Sequence, residues 1–123
     1  MMMPQTFVST AMAAHGGIRQ LQIDLDIAHA RLAMTGELDL ATVHVFREAA
    51  TLLLSETAHE IAIDLGGLQF IDAAGLGEIV RLQAALNAAD RRLTLSRPSP
   101  WIRRIFIVGG VAELLPENSS SSG

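Results

Sequence analysis

The run Gln20-Leu21-Gln22-Ile23-Asp24-Leu25-Asp26-Ile27 alternates polar and apolar positions without a fault. A period of two puts every aliphatic on one side of an extended chain, so this run predicts a strand with one buried and one polar face. After a turn near Ala28-His29, Arg31-Leu32-Ala33-Met34-Thr35 repeats the pattern and completes an antiparallel pair. Ile61-Ala62-Ile63-Asp64-Leu65 predicts a third strand and Leu93-Thr94-Leu95-Ser96 a fourth. Throughout, the large aliphatics share one face and Ala, Asp, Thr, Ser or Gln take the other. A sheet covered on both faces would show continuously apolar strands, so the helices are expected mainly on one face.

Between these strands the period lengthens to that of a helix. Val43, Phe46, Ala50 and Leu53 fit a first helix from about Leu40 to Leu54, with Asp39 as its expected N-cap. Leu76, Ile79, Val80 and Leu86 fit a second, following Asp72, whose carboxylate is placed to accept from first-turn N–H groups. A third is expected from Pro98-Ser99-Pro100 to Gly109-Gly110, with proline at its start and glycine past its end. Strand, helix, strand, helix, strand from Met34 to Ser96 implies two right-handed crossovers. The fold class is therefore α/β, a mixed four- to five-stranded sheet with helices packed mainly on one face.

The chain has 123 residues, half of them apolar, which suits one domain. That domain is expected over residues 18–116, after a flexible leader, 1–17, and before a disordered Ser-rich tail, 117–123. Thirteen acidic and nine basic residues give a net charge of −4, which argues against nucleic acid as a partner because phosphate binding needs clustered Lys or Arg. Arg91-Arg92 and Arg103-Arg104 are read as solvated helix ends or faces. The absence of cysteine excludes disulfides and thiolate chemistry. With no basic n-region, no continuous apolar segment at the start and no apolar run near 20 residues, roughly the length that spans a bilayer, no membrane insertion is expected and the cytoplasm is the simplest compartment.

Three stretches carry chemistry. Asp64-Leu65-Gly66-Gly67-Leu68-Gln69-Phe70-Ile71-Asp72-Ala73-Ala74-Gly75-Leu76-Gly77 reads as a strand passing through a short loop into a helix, with Ala74 in the first turn, where free N–H groups and the helix dipole favour an anion. Met34-Thr35-Gly36-Glu37-Leu38-Asp39 is a second turn, and Arg103 to Pro116 a third stretch. In this order and at these separations they resemble the STAS domains of bacterial anti-sigma factor antagonists.

That resemblance implies a STAS-like fold, with the family's late helix and short strand over Arg103 to Pro116, and a binding function. In the family, the position matching Ala74 is usually a serine or threonine that a partner kinase phosphorylates. An alanine methyl group cannot accept a phosphoryl group, and no hydroxyl lies between Gly66 and Gly77. The resemblance further implies a partner, an anti-sigma factor with a kinase-like ATP-binding domain, whose capture releases a sigma factor. The matching contact residues are Gly36, Glu37 and Asp39 in the first turn and Asp72, Ala73, Ala74, Gly75 and Leu76 in the second. Relatives usually carry one more helix after the position of Pro116, so its loss is expected to expose apolar surface, with a homodimer as one consequence. No cofactor is expected.

Other readings compete. Asp39 and Asp72 are good N-caps and Gly66, Gly67, Gly75 and Gly77 suit tight turns whatever the function. Glu37, Asp39 and Asp72 converging at one sheet end would suit acid–base work or a divalent cation, but no nucleophile or paired histidine sharpens an enzyme reading, and His15, His29, His44 and His59 lack ligand spacing. Catalysis is not expected. The alternative within the family is a STAS accessory subunit of a transport or sensory complex, which Ala74 suits equally. Trp101 is expected to anchor the third helix.

Overall fold

The computed structural model describes residues 7–13 and 20–116. Five strands form one sheet in the order β1-β2-β3-β4-β5: β1 (Phe7–Ala13), β2 (Gln20–Asp26), β3 (Arg31–Leu38), β4 (Glu60–Ile71) and β5 (Arg92–Ser96). The pairs β1–β2 and β2–β3 are antiparallel, while β3–β4 and β4–β5 are parallel. Parallel neighbours need crossovers, and helices α1 (Val43–Leu54) and α2 (Ala73–Ala88) supply them. Helix α3 (Pro100–Val108) and a 3-10 turn (Ala112–Leu114) follow β5. The sheet is mixed, as the strand patterns imply.

The alternating faces behave as their spacing requires. Leu21, Ile23, Leu32, Met34, Ile61, Ile63 and Leu65 are at most 1% exposed and meet Phe46, Leu53, Ile79, Leu86, Ile102 and Phe106 of the three helices. Among the described residues, the opposite face, with Gln22, Asp24, Ala33, Ala62 and Asp64, carries no helix.

Strand β4 runs six residues past the expected Leu65. Its pairing with β3 slips twice, between Ala33/Thr35 and between Gly36/Glu37, and each slip places one extra residue in β4. A one-residue bulge reverses which face the following side chains take. Buried positions therefore move from odd (Ile61, Ile63, Leu65) to even (Leu68) and back to odd (Ile71). This double reversal hides the strand from a period-two reading. Gly67 marks the first slip, since a Cβ there would lie 2.7 Å from Thr35 Oγ1 and 2.8 Å from the Met34 carbonyl oxygen.

Four further expectations change. Phe7–Ala13, assigned to a flexible leader, forms β1 along the outer edge of β2, from Phe7↔Asp26 to Ala13↔Gln20. Val8 and Thr10 suit extended chain, and the pairing satisfies an edge otherwise open to water. The rest of the leader and the tail 117–123 lie outside the described residues. The short strand implied after α3 is instead the 3-10 turn Ala112–Leu114, held by Leu114 N–H to Val111 O at 3.0 Å. Arg91 is not solvated: its Nε donates to Ala58 O at 2.8 Å and its Nη1 to Leu54 O at 3.1 Å, tying the end of α1 to β5. Trp101 stays 52% exposed, and Ile102 and Phe106 anchor α3 in its place.

Candidate functional site

Parallel pairing of Leu38 with Ile71 brings the ends of β3 and β4 side by side, so the turns that follow them are neighbours. At this sheet end the two stretches singled out in the sequence meet.

The first turn is built around Thr42. Its hydroxyl donates to Glu37 O at 2.7 Å and accepts from Asp39 N–H at 3.0 Å. Asp39 Oδ1 accepts from Ala41 N–H at 3.0 Å and Thr42 N–H at 3.1 Å. A full turn therefore precedes the helix, and α1 starts at Val43 with Thr42 as N-cap, three residues later than Asp39 would dictate. Asp39 is 7% exposed, with its carboxylate folded onto its own turn. Glu37 Oε1 accepts from Gln20 N–H at 2.9 Å. Gly36 has φ +108°, where a Cβ would strike the Gln20 carbonyl oxygen, so only glycine fits.

The second turn opens α2 as expected. Asp72 is its N-cap, with Oδ1 accepting from Gly75 N–H at 3.0 Å. The other oxygen, Oδ2, accepts from Leu40 N–H at 3.1 Å. One carboxylate thus caps a helix and clasps the neighbouring turn, while Asp72 N–H reaches back to Leu38 O at 3.2 Å. Gly75 is the contact point between α2 and β3: a Cβ there would lie 2.5 Å from Leu38 O and 2.8 Å from Leu38 Cγ. The helix can approach this closely only because that Cβ is missing.

These locks leave an outward surface of apolar side chains. Ala73 is exposed, Ala74 and Leu76 are partly exposed, and Leu40 is 76% exposed. Of the residues singled out from sequence, Gly36, Asp39, Asp72 and Gly75 shape the turns, and Glu37 commits one carboxylate oxygen to Gln20. Ala73, Ala74 and Leu76 face outward with them. Leu40 and Thr42 lacked a sequence signal, as one is an isolated leucine in a polar turn and the other a threonine whose role depends on three backbone partners. The three carboxylates do not form a cation site: among the described residues no group of three or more His, Cys, Asp or Glu could hold a metal ion.

Beyond the turns, two charge pairs tie elements together. Glu78, 8% exposed on α2, accepts from Arg47 Nη2 of α1 at 2.6 Å. That hydrogen bond, reinforced by the charges of Arg47 and Arg81, holds its carboxyl below the usual range despite burial. On the bare sheet face Asp64 accepts from Arg97 Nε at 3.0 Å and Nη2 at 2.9 Å, and from Gly66 N–H at 2.8 Å. The Arg97 hydrogen bonds likewise pull the Asp64 carboxyl below its ordinary value.

A mixed five-stranded sheet with helices on one face, and a glycine-pinned turn pair at one end, define a STAS architecture. A family model described as "Mlab, STAS domain" matches residues 21–116, and the chain belongs to the STAS domain family. It is similar to the anti-sigma-B factor antagonists of Staphylococcus epidermidis and Staphylococcus aureus, each 31% identical over 86 residues that cover 70% of this chain and 80% of the relative. Among solved structures it is similar to the anti-sigma factor antagonist SpoIIAA in its unphosphorylated form, with TM-score 0.63, 22% identity, and coverage of 83% of this chain and 92% of that one. An anti-sigma factor antagonist from Mycobacterium paratuberculosis aligns with TM-score 0.58 and 17% identity over 90% of this chain and 84% of its own. Below 25% identity, these structural likenesses show the shared fold alone. Among the described residues no helix is long and apolar enough to cross a membrane.

Proposed function

We propose that this protein is an anti-sigma factor antagonist that binds a kinase-type anti-sigma factor through its paired turns and cannot be switched off by phosphorylation at position 74. The observation that carries this reading is Ala74 itself, partly exposed in the first turn of α2 beside the Asp72 clasp. A phosphate there would add about −1.5 to −2 charges next to the Asp72 carboxylate and would change the surface offered to a partner. Alanine leaves that surface in one state. The partner-facing residues in this reading are Ala73, Ala74 and Leu76, with Gly36, Glu37, Asp39, Asp72 and Gly75 holding the shape they present.

The test is restoration of the acceptor. Ala74→Ser, incubated with the partner and ATP, is expected to gain one phosphoryl group and lose affinity, while the native chain gains none and stays bound. An Ala74→Ser protein that binds the partner and is never phosphorylated, or is phosphorylated without losing affinity, contradicts the proposal.

A second reading, a STAS accessory subunit of a transport or sensory complex, is favoured by the same alanine. It needs no acceptor at position 74. It is chosen if every kinase-type anti-sigma factor from the same genome fails to bind.

A further inference from the structure

Helices α1 and α2 lie side by side over the sheet, and a groove of about 140 Å³ opens between them. The buried side chains of Phe46, Ala50 and Leu82 line its inner part, and exposed Ala85 lines its outer part. Alanine at positions 50 and 85 leaves open a space that a leucine at either would take up. The volume is close to that of an apolar cavity of about 150 Å³ that admits benzene, so one aromatic ring or a short alkyl chain fits.

Charge collects at one end. Both helices cross over between parallel strands and so run the same way, which puts Arg47, Glu78 and Arg81 together at the N-terminal end of the groove and Ala85 at the other. Glu78 Oε2 accepts from Arg47 Nη2 at 2.6 Å. Arg81 Nε stands 3.7 Å from the same oxygen, too far for a hydrogen bond. The side chains of Arg47 and Arg81 are 56% and 79% exposed. A guanidinium carries five N–H donors, and one carboxylate oxygen occupies few of the ten. Two arginines against one glutamate give the groove a net charge of +1, and among the described residues no other charged side chain lines it.

We infer that the α1–α2 groove is a binding site for a small monocarboxylate with a compact apolar body, an aryl or short alkyl acid. Its ring or chain lies against Phe46, Ala50 and Leu82, and its carboxylate pairs with Arg81 and the free edge of Arg47. The chemistry follows from the lining. Apolar walls with a few polar groups converging at one end are the make-up of a small-molecule site. A planar carboxylate matches the fork of a guanidinium, which binds it through two parallel hydrogen bonds. One negative charge balances the +1 of the groove, whereas a phosphate monoester, at about −1.5 to −2, would leave excess negative charge beside Glu78. None of the lining residues belongs to the turn pair, so the inference stands apart from the proposed function.

The test is a titration of the isotope-labelled full chain with benzoate, followed by amide NMR at an ionic strength held constant with chloride. Saturable shifts confined to the groove-lining turns of α1 and α2 are the expected result. Benzyl alcohol, which keeps the ring and lacks the charge, should bind about tenfold more weakly or worse, as the loss of a charge-assisted hydrogen bond implies. Arg81→Gln, at an exposed helix position, should weaken benzoate about tenfold for the same reason, and Arg81→Lys by less. Ala85→Leu, also exposed and favourable to helix, fills the groove and should abolish the saturable shifts, with the urea midpoint showing that the variant is folded. The inference is overturned if benzoate and hexanoate both give no saturable shift, if the shifts fall outside the groove, if benzyl alcohol binds as tightly as benzoate, or if Arg81→Gln or Ala85→Leu binds like the native chain. A groove that instead takes a side chain of a partner protein gives the first of these outcomes.

Discussion

Single atoms decide the shape of the turn pair. Gly75→Ala would drive a methyl group against the Leu38 carbonyl oxygen, with backbone on one side and a packed leucine on the other. It is expected to destabilise the fold by about 1–3 kcal/mol, as overpacking does, with a matching fall in the urea midpoint. Asp72→Ala removes both the helix cap and the clasp on Leu40 N–H, and an N-cap loss alone costs about 0.5–2 kcal/mol. Asp72→Asn keeps one acceptor oxygen, so it should retain the cap or the clasp and fall between native and alanine in the same measurement. Asp72 was legible in sequence as a cap because its partner is three residues away in the chain. Its hold on Leu40 was not, since that contact spans 32 residues and needs the β3–β4 pairing to exist. Asp39 misled for a related reason: it makes the local hydrogen bonds of a cap, but Thr42 resets where the helix begins.

Elements with one uninterrupted period were readable, and those with irregularities were not. Strand β2, the second helix with its cap, and the proline-to-glycine span of α3 follow directly from local spacing. Strand β4 broke the rule because two bulges, one at Gly66-Gly67 and one between Leu68 and Phe70, reverse its faces, and β1 lacked a clean alternation, so only the edge it completes explains it. The α1–α2 contact hides a buried Glu78 that reads in sequence as an ordinary helix-surface glutamate. Glu78 and Asp64 are both held below their ordinary carboxylate range by arginine hydrogen bonds. The unfolded chain therefore binds more protons than the native one as pH falls into and below that range. Their stabilisation is present above the range and is lost on further acidification. Urea midpoints should accordingly drop as pH falls through it, and the drop should be shallower in Glu78→Gln and Asp64→Asn. An unchanged slope in both variants would remove the two pairs as its source.

Across the whole molecule, one sheet face is buried under three helices, and the turns on two adjacent parallel strands emerge at one end. Family resemblance in sequence located that end because its motifs are glycines and caps, residues whose spacing is set by backbone geometry. The outer side of α3 escaped it because Trp101 and Val108 look like core residues until the packing of Ile102 and Phe106 is known, and the α1–α2 groove because Ala50 and Ala85 line one cavity only in the fold. Substitutions at the turn pair should thus alter partner affinity and stability together, whereas Arg81→Gln should alter carboxylate binding with stability within about 0.5 kcal/mol of native, as for surface positions. Parallel urea and binding titrations of the two sets separate these behaviours. If, as proposed, Ala74 fixes the turn pair in its partner-binding state, calorimetric titration of the native chain into each kinase-type anti-sigma factor of its own genome, first with ADP and then after prolonged exposure to ATP, with the mass of the chain checked at the end, will show it. Tight binding to one of them that survives ATP with no change in mass is the predicted result. Loss of binding in ATP together with a phosphoryl mass increment, or no binding to any of them, would contradict it.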